Sequence, residues 1–410
     1  MPQLFDARFE RVVVTHALRT PIGKYLGSLS DLSAADLGAS VVSDLLGRAG
    51  IDPALVGELI FGNGRQAGGG PNVARQISVR AGIPVETPAW TMNMACGSGL
   101  KSILMAAESI QLGRTDVAVA GGTESMSGLP FFLPKMRQGY RLGHAKVVDA
   151  MYQDGFVCPI AEMVMGETAE KLAQDLGITR DQQDEFALHS QQKAGAATEA
   201  GRFADELSPI ELTDRKGKVT TFATDEHVRA DTTLAKLGKL PAVFAKNLLS
   251  DPEGGTVSAG NASGITDGAS ALLLMTESRA KDLGLEALAY VGQGKQSGVD
   301  PKIMGIGPVP AVRGLTELNG LAAGDYDLIE LNEAFAAQVL ACDRELELPM
   351  DRVNVNGGAI ALGHPIGATG ARIAVTMLHE LKRRGGEHGL ATLCISGGMG
   401  LAAGFHRSGL

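Results

Sequence analysis

Two distant segments of the chain repeat the same order of turn, helix, strand and glycine pair. The first begins as CGSGLKSI and ends as DVAVAGG, within residues 96–122. The second begins as GHPIGATGARIAV and ends as LATLCISGG, within residues 363–398. In each segment, apolar residues at helical spacing precede a short apolar run that is typical of a buried strand. The sequence therefore predicts a duplicated α/β unit, and packing of the two halves would bring their matching turns into one shared cleft.

Flanking elements extend both halves in a similar way. In the first half we predict a strand at Arg11–Thr15 that ends in a loop from Arg19, a helix capped by Ser33 and a strand at Glu58–Gly62. In the second half we predict a helix at Gly314–Leu321, a strand at Asp327–Leu331 and a helix that opens at Asn332.

The residues between the halves differ in composition. Helical patterns occur at Glu162–Leu176 and, after a capping box at Thr179–Gln182, through about Ala200. The segment is locally basic, and its basic residues are Arg137, Arg141, His144, Arg215, Lys216, Lys218, Arg229, Lys236, Lys239 and Lys246. A solvated face and a site for an anionic, phosphate-bearing ligand both explain this charge. We predict a first half at 1–125, completed by about 252–278, a loop domain at 126–251 and a second half at 279–410.

Composition narrows the class of protein. A hydrophobic content of 44% with 54 glycines and 4% aromatic residues suits an α/β protein with many tight turns. The net charge of -9 argues against nucleic acid as a partner. No apolar run has the length of a signal or membrane segment, and four widely spaced cysteines fit a reducing compartment. We expect a cytoplasmic protein without a membrane anchor.

Cys96 is the first candidate for a functional residue. It stands at a turn directly before the helix of the first repeat, where the helix dipole and unpaired N–H groups favour a thiolate. Taken alone, however, such a residue is more often a small buried cysteine in a tight turn.

Four motifs in a fixed order resolve this ambiguity. They are NMACGSGL around Cys96, NEAFA at Asn332–Ala336, GGAIALGHPIGATGAR at Gly357–Arg372 and CISGGMG at Cys394–Gly400. Together with GTVSAGNASG at Gly255–Gly264, they resemble the thiolase family over nearly the whole chain, from Arg11 to Phe405. The resemblance implies two α/β halves with mixed sheets, layered α-β-α-β-α, and an inserted loop domain that covers the coenzyme A site.

The resemblance also implies a catalytic set for a reversible Claisen condensation of acyl thioesters. Cys96 would carry the acyl group, His364 would take its proton, and Cys394 would act as acid and base at the α-carbon. The N–H groups of Cys96 and Ser396 would form one oxyanion hole. His364, with a water held by Asn332, would form the other.

Further residues are implied to bind substrate. Arg229 matches a position near the nucleotide of coenzyme A, and Ala259 and Ser263 match positions along the pantetheine arm. Met165 would line the acyl pocket, and Phe156 and Phe335 complete the predicted binding set. Coenzyme A would be substrate and product, with no permanently bound cofactor and no metal. The family further implies a homotetramer or homodimer, while Cys158 and Cys342 match no functional position.

Several alternatives stay open at this stage. Acetyl-CoA acetyltransferase activity is favoured, but Val164 stands where acetoacetyl-forming members usually have histidine, and an apolar residue there favours longer acyl chains. Degradative 3-ketoacyl-CoA thiolase activity of broader chain length is therefore the main alternative. Ser396 replaces a usual glycine, which is harmless if only its N–H is used. Two further alternatives are a decarboxylating ketoacyl synthase and a non-catalytic thiolase-like scaffold. The first would lack a residue like Cys394, and the second would not need the complete catalytic set.

Overall fold

The structure, a computed structural model, describes residues 3–244 and 255–410. Lys246 of the basic segment and the predicted boundary at 251/252 therefore lie outside the described residues. The other domain boundaries stay predictions.

The first half and the segment that follows it contain these helices and strands. They are β1 (Val12–Arg19), β2 (Gly23–Lys24), α1 (Ala34–Ala49), β3 (Glu58–Gly62), α2 (Val73–Arg80), β4 (Ala89–Met92), α3 (Ser98–Gln111), β5 (Val117–Ser125), β6 (Phe131–Phe132), β7 (Val148–Asp149), β8 (Val157–Cys158), β9 (Met163–Val164), α4 (Met165–Leu176), α5 (Arg180–Glu199), β10 (Ile210–Thr213), β11 (Val219–Phe222) and α6 (Leu234–Leu237).

The chain then returns to the first half and builds the second. The elements are β12 (Thr266–Thr276), α7 (Glu277–Asp282), β13 (Ala289–Gly298), α8 (Pro308–Asn319), β14 (Leu328–Leu331), α9 (Ala336–Leu346), α10 (Ala359–Leu362), α11 (Ile366–Arg384), β15 (His388–Ile395) and β16 (Met399–His406).

The sheet confirms the duplication. In the first half β3 runs parallel to β5, β5 antiparallel to β12, and β12 antiparallel to β1. The second half repeats this order, with β14 parallel to β15, β15 antiparallel to β16, and β16 antiparallel to β13. The two halves join edge to edge where β1 pairs with β13 at Val13–Tyr290 and Val14–Ala289.

Helices α3 and α11 form the central layer between the two half-sheets. Residues 366–378 of α11 are all buried, as expected of a helix that is covered on every side. Glycines permit its close contact with α3. A Cβ on Gly370 would lie 2.3 Å from the backbone nitrogen of Leu100, and one on Gly99 would lie 2.7 Å from that of Ala371. The turns before both helices therefore open into the same cleft.

Helices α1, α2 and α8 cover the outer faces of the two half-sheets. On one side α1 packs on β1, β5 and β12, with α2 against it, and on the other side α8 packs on β13, β15 and β16. The predicted α-β-α-β-α layering is therefore confirmed. No helix within residues 3–244 and 255–410 is long and apolar enough to cross a membrane.

Most of the predicted elements exist, but some boundaries were wrong. Ser33 caps α1 through the backbone N–H of Asp36, β3 matches its predicted range, and the Thr179 capping box starts α5. The first strand was predicted to end at Thr15, before the loop from Arg19, but it extends through Arg19. The guanidinium of Arg19 is buried there against Glu206 and Asp225.

Two helix starts also differ from prediction. Helix α8 begins at Pro308, six residues before the predicted start, because proline fits the first turn of a helix. Helix α9 begins at Ala336 rather than Asn332, which leaves residues 332–335 in the turn after β14.

Candidate active site

A strained turn presents Cys96 at the start of α3. Ala95, directly before it, has a φ of 46°, in the left-handed region that favours glycine. Ser98 stabilises the turn, since its Oγ accepts the Met94 N–H at 2.9 Å and donates to the Ala95 carbonyl at 2.7 Å. The sulfur of Cys96 is thereby held at the N-terminal end of the central helix.

The turn before α11 brings His364 to this sulfur. The distance from His364 Nε2 to Cys96 Sγ is 3.3 Å, across a sequence separation of 268 residues. Its Nδ1 lies 2.6 Å from Thr369 Oγ1, which donates to the Pro365 carbonyl at 3.0 Å. A hydroxyl has one proton, so Thr369 must accept from Nδ1–H. The lone pair of Nε2 then faces Cys96, as a general base requires.

Burial decides the protonation of this pair. It raises the pKa of the Cys96 thiol, and the charge of Arg65 and nearby N–H groups only partly oppose the rise. Burial, followed by the charges of Arg65 and Arg372, lowers the pKa of His364 to about 3. Burial therefore opposes the thiolate that the helix N-terminus favours. Proton transfer from Cys96 to the neutral His364 imidazole can then accompany attack on a carbonyl.

Two backbone N–H groups point toward the reacting sulfur. Those of Cys96 and Ser396 both lower the pKa of the Cys96 thiol by hydrogen bonding. Ser396 follows β15, and the next two residues, Gly397 and Gly398, have φ values of 90° and 85°. This glycine turn aims the Ser396 N–H at the cavity. The arrangement can stabilise an oxyanion formed on a carbonyl bonded to Cys96.

Cys394 and Asn332 occupy fully buried positions. Cys394 lies near the end of β15, and burial raises the pKa of its thiol well above the usual value. Neither side-chain amide atom of Asn332 has a hydrogen-bond partner among the described residues. An unpaired buried amide costs about 1–3 kcal/mol, so such a group is usually kept for binding something.

One cavity of about 500 Å³ collects most of the predicted site. The predicted residues that line it are Cys96, Phe156, Met165, Arg229, Ala259, Ser263, Phe335, His364, Cys394 and Ser396. Val164 lines it as well, whereas Asn332 does not. Of the basic residues predicted in the middle segment, only Arg229 among those described reaches the wall, and all of these described side chains are exposed. A solvated face thus explains most of that charge.

Sequence analysis missed several residues of the site. In the sequence, Thr369 was only a small residue within the second repeat. Arg65 and Lys24 were only charged residues outside the motifs, but both line the cavity. Glu124 was hidden in a strand. Its carboxylate accepts N–H groups from Gly64 at 3.0 Å and Gly367 at 2.8 Å, and so connects the loop after β3 to the first turn of α11.

Cys158 and Cys342 are outside the cavity lining, although Cys158 belongs to the same apolar cluster as Cys394. Both are buried, neither lines the cavity, and Cys342 donates its S–H to the Gly305 carbonyl at 3.4 Å. Burial raises the pKa of Cys342 to about 12, so it is an unreactive thiol.

The duplicated α/β halves place a cysteine and a histidine at the turns before their central helices. A fold and site of this kind are typical of enzymes that transfer acyl groups through a cysteine. Family comparison agrees over almost the whole chain. Residues 12–278 match the thiolase N-terminal domain and residues 285–407 the thiolase C-terminal domain. The chain belongs to the thiolase family.

Individual relatives are similar along their full length. The acetyl-CoA acetyltransferase of Pseudomonas aeruginosa is 51% identical over 391 residues, which cover 95% of this chain and 98% of that protein. The crystal structure of the Bacillus anthracis acetyl-CoA acetyltransferase has a TM-score of 0.93 at 45% identity, covering 97% of this chain and 99% of the other. Human mitochondrial 3-ketoacyl-CoA thiolase in complex with CoA has a TM-score of 0.91 at 42% identity, covering 97% and 98%.

Proposed function

We propose that the protein is an acetyl-CoA acetyltransferase, which condenses two molecules of acetyl-CoA to acetoacetyl-CoA and free coenzyme A, reversibly. The observation that carries this proposal is the contact of 3.3 Å between His364 Nε2 and Cys96 Sγ in a cavity that also contains Cys394. Relatives with this name are about half identical in sequence, for example at 51% over 391 residues.

The first half-reaction loads the nucleophile. His364 takes the proton of Cys96 as the sulfur attacks the acetyl carbonyl of acetyl-CoA. The N–H groups of Cys96 and Ser396 stabilise the oxyanion of the tetrahedral intermediate. That intermediate collapses to acetyl-Cys96, and the coenzyme A sulfur leaves with the proton from His364.

The second half-reaction forms the carbon–carbon bond. The Cys394 thiol passes its proton to neutral His364, and the resulting thiolate removes an α-proton from the second acetyl-CoA. The carbanion attacks the acetyl-Cys96 carbonyl, the C–S bond to Cys96 breaks with release of acetoacetyl-CoA, and the Cys96 sulfur takes the proton from His364. In the reverse direction the Cys394 thiol returns a proton to the α-carbon, which agrees with a raised pKa and a protonated resting form. His364 and a water held by the Asn332 amide stabilise the enolate oxygen.

Coenzyme A binding follows the cavity toward its exposed mouth. Ala259 and Ser263 contact the pantetheine arm, and Arg229, an exposed cation, binds near the nucleotide. Met165, Phe156 and Phe335 contribute apolar surface around the acyl group. Coenzyme A is thus substrate and product rather than a resident cofactor.

Incubation with acetyl-CoA followed by intact mass measurement tests the proposal. One acetyl group should appear on wild-type protein, map to Cys96 and disappear after addition of free coenzyme A. Cys96→Ser should remove it, while Cys158→Ser, a matched change at a buried cysteine that does not line the cavity, should retain it. An acetyl group on Cys394 with Cys96 unmodified would show that the roles are misassigned.

A second candidate function is thiolysis of longer 3-ketoacyl-CoAs, as in fatty-acid degradation. Val164 lines the cavity, and each methylene buried against such an apolar wall contributes about 0.8 kcal/mol. The two candidate functions are distinguished by kcat/KM for thiolysis of 3-ketoacyl-CoAs with acyl chains of four carbons and longer. A steep rise of kcat/KM with length, with little use of acetoacetyl-CoA, would replace the acetyltransferase proposal with this one.

We further infer a cytoplasmic homo-oligomer, a homotetramer or homodimer. The four cysteines are free, and a reactive thiol such as Cys96 is preserved in a reducing compartment. From β6 to the residue before β7 lies a set of exposed apolar residues, Phe131, Leu133, Met136, Leu142 and Val147. An exposed apolar surface of this kind marks an interaction site between subunits.

A further inference from the structure

Arg65 differs from the other buried arginines of the described residues. Arg19, Arg65 and Arg372 are 0%, 7% and 1% exposed. Arg19 forms ion pairs with Glu206 and Asp225, and Arg372 forms one with Glu330. For Arg65, no carboxylate of the described residues lies within the 4.0 Å of an ion pair.

Its hydrogen bonds use only neutral acceptors. Nη1 donates to the Gly64 carbonyl at 3.3 Å and Nη2 to the Gly155 carbonyl at 3.0 Å, while Nε has no partner among the described residues. A guanidinium carries five N–H donors in a planar fork that matches a carboxylate. Burying a cation without an anion costs several kcal/mol, so a side chain held this way is suited to an anion that arrives with a ligand.

Glu124 forms no ion pair with Arg65. It accepts the backbone N–H of Arg65 at 3.1 Å, not its guanidinium, and its oxygens also bind N–H groups of Gly64, Gly367 and Asn63. Burial raises the pKa of Glu124 to about 7, and the charge of Arg65 opposes this rise. Glu124 therefore interacts with Arg65 through charge but leaves the N–H donors of the guanidinium without a carboxylate partner.

Arg65 stands beside the point where the acyl group is attached. It lines the same cavity as Cys96, Met126, Tyr152 and Phe156. Its bond to Gly155 also fixes residues 152–156, which include the two aromatic side chains. The other lysine and arginine among the described cavity residues, Lys24 and Arg229, are exposed, so Arg65 is the buried cation beside apolar side chains. This arrangement suits an acyl chain that is apolar along its length and anionic at its end.

We propose that Arg65 makes the acyl pocket selective for acyl groups that end in a carboxylate, so that 3-oxoacyl-CoAs of dicarboxylic acids are substrates. The inference rests on the proposed thiolase function and adds a substrate class to the same site. The acyl group on Cys96 extends toward Arg65, and its terminal carboxylate accepts N–H groups of the guanidinium.

Thiolysis of two substrates of equal length tests this. The probes are 3-oxoadipyl-CoA, which ends in a carboxylate, and 3-oxohexanoyl-CoA, which ends in a methyl group. Wild-type protein should use the first with at least the kcat/KM of the second. In Arg65→Met the ratio of the two kcat/KM values should fall about 10- to 100-fold, the loss of a charged hydrogen bond. Arg65→Lys should retain part of the ratio, because it keeps the charge without the fork.

Matched measurements separate the possible failures. Arg80→Met, a change of an exposed arginine on α2, should leave the ratio unaltered. A wild-type preference for 3-oxohexanoyl-CoA, or an unaltered ratio in Arg65→Met, would overturn the role of Arg65. Acetoacetyl-CoA with free coenzyme A serves as the reference reaction, and its failure with wild-type protein would count against the thiolase proposal itself. Because the readout is a ratio within each variant, partial loss of folded protein does not alter it.

Discussion

At the residue scale, the two cavity cysteines are assigned to different steps and can be separated. Cys394→Ala should retain acetylation of Cys96, because a base that acts only at the α-carbon is not needed to load the nucleophile. Condensation should fall by at least about 100-fold, the usual contribution of a general base. Single-turnover acetylation and steady-state condensation measure the two steps. Equal loss of both in a folded variant would contradict the assignment.

Thr369 is expected to act through His364 rather than on the substrate. Thr369→Val keeps the side-chain shape but removes the acceptor for Nδ1–H, now 2.6 Å away, so the proton can move to Nε2. The acetylation rate of Cys96 should fall about 10- to 100-fold, the range known for residues that orient a metal-ligating histidine. Thr369→Ser should restore most of the rate. A wild-type rate in Thr369→Val would show that the tautomer is fixed by other groups.

The pKa of His364 predicts how the protein responds to acid. Burial lowers this pKa to about 3, whereas an unfolded histidine gains a proton below about 6.5. Between these values the unfolded state binds more protons, so the stability from the neutral histidine is lost as pH falls from about 6.5 toward 3. Urea unfolding at a series of pH values should show a shallower acid loss in His364→Asn than in wild type. An equal slope in both would contradict the prediction.

At the element scale, the crossing of α3 and α11 has no room for a side chain. Gly370→Ala would place a Cβ 2.3 Å from the Leu100 backbone nitrogen, which cannot move without shifting α3. Overpacking of this kind costs about 1–3 kcal/mol or more, and acetylation of Cys96 should weaken as well. Gly47→Ala in α1 is the matched control, because nothing lies within 4 Å of its added Cβ. Thermal unfolding of both variants measures the difference, and equal Tm values would refute the close-contact argument.

The same elements show what a sequence can reveal about this fold. Repeated motifs predicted both halves and a shared cleft, because turn chemistry and helical spacing are local. The site roles of His364 and Cys394 were predicted only from the resemblance to the thiolase family. The end of β1 could not be predicted from local sequence, because the side-chain partners of Arg19 lie 187 and 206 residues away along the chain. The burial of Arg65 and the raised pKa of Cys96 likewise depend on tertiary contacts that no local pattern records.

At the scale of the whole molecule, the edges of the sheet bear on assembly. The hydrogen-bonded path of the large sheet runs from β14 to β4, and all four residues of β4 are only partly buried. An open terminal strand can pair with another chain. A second copy of the protein at this edge would therefore complete the burial of β4.

The exposed apolar residues within residues 131–147 predict a contact between subunits. These residues are 41–101% exposed, and Leu142 is the most exposed. A variant with serine at all five positions, Phe131, Leu133, Met136, Leu142 and Val147, should have a lower assembly mass by light scattering at micromolar concentration. The Tm of this dissociated variant should stay close to the Tm of wild-type protein that has been diluted until it dissociates. Val219→Ser with Leu318→Ser, two exposed apolar residues elsewhere, should leave the mass unchanged. The expected loss of mass follows because apolar surface removed from water is the main force holding subunits together. A wild-type protein that is monomeric at this concentration, or a mass unaffected by the five changes, would contradict the role of this segment.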